Sequence, residues 1–152
     1  MATVEQTWMK VQRLLTGPMD LRIHVSADKM QVRFEQVSTV ANIRVQDWGT
    51  APDGSPETLV HIWSPILTEV KPSPELYKWV ATEGGTRWFG HVRVIPGDAP
   101  DGDVQLVMEH AILGDFLDQR ELEAALFGVL TSADKLDDEL QSRFGGSRWA
   151  DE

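Results

Sequence analysis

Any imidazole chemistry in this chain rests on four histidines, His24, His61, His91 and His110, and with no cysteine there is no thiolate to act as nucleophile or metal ligand. A hydrolase would then need a serine or threonine nucleophile. No serine stands in the G-x-S-x-G turn that lifts a hydroxyl above a sheet, so a Ser–His–Asp set has no local signal. His61 and His91 fall on separate predicted strands, where one shared sheet face would allow a metal pair. No carboxylate at ligand spacing accompanies either ring, and the reading favoured is two half-exposed imidazoles bonded to neighbours.

Two loops carry weaker signals. Asp98-Ala99-Pro100-Asp101-Gly102-Asp103 has the carboxylate density of a calcium loop, with Glu109 twelfth from Asp98. The glycine required at the sixth position is replaced by Asp103, and Glu109 belongs to a strand, so this reads as a solvated hairpin loop. Gly84-Gly85-Thr86-Arg87-Trp88-Phe89-Gly90 is glycine-rich but runs from helix to strand. A phosphate loop needs the reverse order, with helix-start amides facing the anion.

The elements that must position these residues follow from periodicity. Thr3 and Gln6 have capping-box spacing, Val4, Trp8, Val11 and Leu15 form one helical face, and Gly17-Pro18 stops the helix. From Leu21 the period becomes two. Leu21 to Val25 is an extended segment; strands are predicted over Met30–Phe34, Thr39–Trp48 and Glu57–Leu67. Ser73-Pro74-Glu75 starts a second helix that ends at Gly84-Gly85. Two further strands, Trp88–Ile95 and Val104–Leu113, precede a long helix opened by Asp118 and Glu121 and closed by Gly145-Gly146. The result is an α+β domain with an antiparallel sheet and helices over one face. It is expected to occupy residues 1–146, with 147–152 a frayed C-terminal tail and docking of Trp149 on the body the alternative.

Alternation sorts the strands into two faces. Ile43, Val45, Val60, Ile62, Val92, Val94, Leu106 and Met108 form the core side. The other side collects Arg44, Trp48, Leu59, His61, Trp63, Phe89, His91, Arg93, Ile95, Val107 and Glu109. A face meant only for water would be more polar; large aromatics mixed with Arg and His suit a surface that binds extended polypeptide. The alternative is that a helix, the tail or a second subunit covers it. Trp48, His61, Trp63, Phe89, His91 and Arg93 are the candidate partner-binding residues. The acidic cluster Asp134, Asp137, Asp138 and Glu139 on the last helix reads as a solvated face opposite Leu136 and Leu140.

At 152 residues and 41% hydrophobic, the chain has the length and composition of one globular domain. Its 14 Lys+Arg against 24 Asp+Glu give a net charge of −10, which argues against a nucleic-acid partner because phosphate binding needs a basic surface. No apolar run approaches the roughly 20 residues a membrane helix needs, and Met1-Ala2-Thr3-Val4-Glu5 lacks a signal-peptide layout. A cytoplasmic location without membrane contact is expected.

Several segments together resemble the YbjN and type III secretion chaperone-like family: Leu59 to Leu67, Glu75 to Val80, Trp88 to Val94, Val107 to Gly114 with Leu122 downstream, Ser132 to Leu140, and Arg143-Phe144-Gly145-Gly146. The resemblance spans Met30 to Gly146 and is strongest to actinobacterial members. It implies an α-β-β-β-α-β-β-α domain, acidic, often homodimeric, without enzymatic activity or cofactor, which binds a protein or peptide partner. Secretion chaperones of this fold hold a partner's segment extended over apolar patches, whereas YbjN-type members are described as regulators or peptide-binding chaperones. The segment Leu21 to Val25 is an addition to that pattern. A second function is a dimeric regulator or adaptor recognised through the acidic C-terminal helix.

Overall fold

The computed structural model describes residues 3–152. Its first helix, α1 (Val4–Thr16), opens on the reciprocal cap the sequence predicts. Thr3 Oγ1 accepts the Gln6 N–H at 3.1 Å, and the Gln6 side-chain oxygen accepts the Thr3 N–H at 3.0 Å. The chain continues through β1 (Ile23–Val25), β2 (Met30–Arg33), β3 (Val40–Thr50), β4 (Pro56–Val70), α2 (Pro74–Glu83), β5 (His91–Ile95), β6 (Val104–Leu113) and α3 (Gln119–Phe144). A 3-10 turn, Trp149–Asp151, follows α3. The six strands form one antiparallel sheet in the order β1-β2-β3-β4-β6-β5. The extended segment ahead of the family pattern is β1, which adds a fourth strand before α2 at one edge of the sheet.

The three helices lie on one side of this sheet, because only that side of each strand is continuously apolar. Ile43, Ile62, Leu106 and Met108 are fully buried there beneath Leu122, Leu126, Val129, Leu136 and Leu140 of α3. α1 contributes Val11 and Leu15 to this core and α2 contributes Leu76 and Trp79. Truncating one of these leucines to Ala would cost about 2–5 kcal/mol, most of it transfer and cavity energy. The start of α2 is held as its sequence dictates: Ser73 Oγ accepts the Leu76 N–H at 3.1 Å, and Pro74 occupies the first helical position. Among the described residues no helix is long and apolar enough to cross a membrane.

Three placements differ from the sequence reading. The fifth strand starts at His91 rather than Trp88, because Gly90 takes φ +106° and breaks the pleat. Phe89 is thereby turned to the helix side, where its ring meets His110 edge-on at 5.7 Å and its Cβ fills the notch left by Gly128 of α3. Asp137 does not belong to a solvated acidic face. It is 1% exposed, and it and Asp134 both receive Ser38 at the β2–β3 turn, with the Ser38 N–H donating to Asp134 Oδ1 at 2.7 Å. Burial raises the Asp137 carboxyl above the usual range, an effect the Ser38 bond partly offsets. Residues 147–152 do not fray as expected but dock on the body. Ser147 and Thr68 exchange two backbone hydrogen bonds of 2.9 Å in an antiparallel bridge.

Candidate functional site

The side of the sheet away from the helices is where the chemistry-bearing residues meet. β4 sits between β3 and β6, so Trp63 lies opposite Asn42 on one side and Glu109 on the other. Glu109 is in turn opposite His91 on β5, and His61, two residues before Trp63, faces the same way. The Glu109 carboxylate is the hub. Its Oε2 is 3.1 Å from His61 Nε2, and its Oε1 is 3.1 Å from His91 Nε2 and 2.9 Å from Arg93 Nε. Glu109 is only 12% exposed, against 56% for His91 and 52% for Arg93. An enclosed carboxylate therefore holds three side chains, of which His91 and Arg93 reach well into solvent.

Next to the hub is a π-stack. The His61 and Trp63 rings lie 5.1 Å apart at 20° to one another, as same-face neighbours along a strand can. Arg44, diagonal to Trp63 across the β3–β4 ladder, places its guanidinium 5.4 Å from the indole centroid. Arg44, Trp63, Arg93, Ile95, Val107 and Glu109, with His61, border a depression of about 190 Å³. Its floor is apolar at Val107 and Ile95, and its walls carry guanidinium groups and the indole. Such a surface can take an apolar or aromatic side chain flanked by acceptors for the two arginines.

Four of the six candidate residues, His61, Trp63, His91 and Arg93, are thus brought together. Trp48 stands apart. The ladder slips between Asp47 and Gly49, and Trp48 donates from Nε1 to Glu57 at 3.1 Å, six residues or about 20 Å along β4 from Trp63. Phe89 is on the opposite side of the sheet, as described above. Two members of the cluster were not among the candidates, Glu109 and Arg44, although alternation puts both on this face. Their roles depend on cross-strand register, which local spacing does not carry. The carboxylate missing from the neighbourhood of either histidine in the sequence is supplied from β6, and it meets the two rings through separate oxygens. Among the described residues no group of three or more His, Asp or Glu is arranged to hold a metal ion.

The edges and the helix side offer less. The outer edge of β5 is partly occupied, because the Val92 N–H donates to Gly84 O at 2.8 Å. A groove of about 510 Å³ between α2 and α3 is lined by Glu75, Lys78, Glu83, Arg87, Glu139 and Arg143 around Trp79 and Leu136. Its mixed charges are those of a solvated helix crossing. His110, on the helix side beside Phe89, has its pKa lowered by burial and then by the charge of His91, both of which disfavour the protonated ring.

A family model described as T3SS (YopN, CesT) and YbjN peptide-binding chaperone 1 matches residues 10–152. No curated protein matches the chain.

Proposed function

Because the chain belongs to the family of T3SS (YopN, CesT) and YbjN peptide-binding chaperones, we propose that it holds an extended protein segment on the helix-free face of its sheet, with Trp63 at the centre of the contact. The observation that carries this reading is the Arg44–Trp63–His61 stack beside the Glu109 hub, an amphipathic surface that none of α1, α2 and α3 covers. Side-chain capture across the face is favoured over strand addition at β5, whose edge Gly84 already engages. The role is binding rather than catalysis, which agrees with both candidate imidazoles directing Nε2 at a structural carboxylate. The proposal includes a homodimer acting in the cytoplasm. The family resemblance supports the first, and a chain without cysteine needs no oxidising compartment.

A peptide library screened against the protein tests the reading. Extended peptides with an aromatic or large aliphatic residue should be retained, and Trp63→Ala should weaken them at least tenfold. Losing the stack and the cation–π contact costs about 1–2 kcal/mol of stability, too little to unfold the domain. Full affinity in a folded Trp63→Ala variant defeats the assignment.

A further inference from the structure

The end of the open face beyond Trp63 is not bare. Gly145 and Gly146, at φ +75° and +89°, turn the chain back after α3, and a Cβ on Gly146 would stand 2.6 Å from Thr68 O. Only glycine permits that approach. Ser147 then pairs with Thr68, and Trp149 is seated 4.9 Å from the Arg33 guanidinium. Arg33 is opposite Val40, which is on the open face and yet 1% exposed. Trp149 also borders a groove of about 130 Å³ whose other walls include Trp63, Pro65, Ile95 and Val107. Arg148 reaches Asp138 of α3 at 2.6 Å and Asp151 at 2.9 Å, while Glu152 accepts from Thr68 Oγ1 at 2.8 Å.

Resting on the peptide-binding reading above, we propose that Ser147–Glu152 is a tethered pseudo-ligand: it fills one end of the partner site, and the segment that displaces it carries the same chemistry, a basic residue, then an aromatic, then carboxylates. The tail makes the two kinds of contact an extended peptide makes, a backbone bridge to a strand and an aromatic side chain set against an apolar groove. Trp63 and Val107 belong both to this groove and to the depression beside Glu109, so a longer segment entering from the hub runs into Trp149. One ion pair, Arg148 with Asp138, joins the tail to the body, and its carboxylate is 76% exposed, so solvent screening keeps the pair weak and the tail displaceable. Its tether gives it an effective concentration on the order of millimolar, so a free peptide of equal intrinsic affinity competes poorly until the tail is loosened. The device sets a threshold, and it also names the ligand class.

The test uses the full chain and a fluorescein-labelled heptapeptide of the sequence Gly-Ser-Arg-Trp-Ala-Asp-Glu, followed by anisotropy. Trp149→Ala removes the aromatic anchor; Gly146→Ala leaves every tail side chain in place but forbids the turn. Both variants should bind the probe at least tenfold more tightly than the unaltered chain, and an otherwise identical probe with Ala for Trp should not bind. Equal affinity for all three chains overturns the proposal. If Trp63-dependent library peptides bind the unaltered chain and Trp149→Ala equally, the tail inference fails while the peptide-binding reading stands. If neither probe nor library peptide binds any chain, both fail.

Discussion

Single side chains decide which face of this protein can do anything. Glu109 anchors three neighbours at 2.9–3.1 Å and so holds Arg93 and the two imidazoles in fixed positions around Trp63. Asp137 works in the opposite sense. It is a carboxyl buried beneath a helix, with Oδ1 lacking a partner and Oδ2 bonded to Ser38. Because burial raises its folded pKa above 3.8, the folded state takes up this proton before the unfolded state does. The penalty is therefore full above the raised folded value and disappears as pH falls toward 3.8. Asp137→Asn should raise the melting temperature by a few degrees at pH 7, and the gain should shrink as pH is lowered toward 4. A constant difference across that range, measured by thermal denaturation, would contradict the burial account. Asp137 was legible in one respect: it follows Ala133 by four positions and so falls on the apolar stripe of α3. Read only as one of four neighbouring acids, it is expected in solvent.

At the scale of elements, the helices and strands were readable because their periods are local. Capping residues and apolar spacing predict α1, α2 and α3, and alternation predicts β2, β3, β4 and β6 within a few residues. What alternation cannot foresee is a backbone that leaves the pleat. Gly90 at φ +106° sends Phe89 to the wrong side of the expected sheet, and only Gly128 on α3 makes room for it. That pairing yields a prediction against helix propensity. Ala is about 1 kcal/mol better than Gly inside a helix, yet an added Cβ at Gly128 would stand 2.7 Å from Phe89 Cβ. Overpacking of this kind costs about 1–3 kcal/mol, so Gly128→Ala should destabilise the domain by about 1 kcal/mol in urea unfolding. A stabilised variant would show that Phe89 moves freely. The candidate site was half legible for the same reason: His61, Trp63, His91 and Arg93 share a face by alternation, whereas the contacts that make them one cluster need the register of β4, β5 and β6.

The whole molecule is a sheet with one side covered by helices and the other largely open. Three helices and a leucine-rich core lie on the first; an aromatic and guanidinium surface on the second is closed at one end by the chain's own last residues. The C-terminal helix presents fewer unpaired carboxylates than its composition suggests. Asp137 is buried, Asp134 holds Ser38, and Asp138 is paired with Arg148. The net charge of −10 repels acidic surfaces in general; on the open side Arg33, Arg44 and Arg93 offset it locally, with Arg44 paired to Asp28 at 3.5 Å and Arg93 to Glu109 at 2.9 Å. The most direct measurement is amide chemical-shift mapping by NMR on the full chain, titrated with a peptide recovered from the library. The account predicts shifts concentrated at Arg44, His61, Trp63, Arg93, Val107 and Glu109, with Trp149 moving as the tail is released. Shifts confined to the groove between α2 and α3, with the sheet face unchanged, would contradict it.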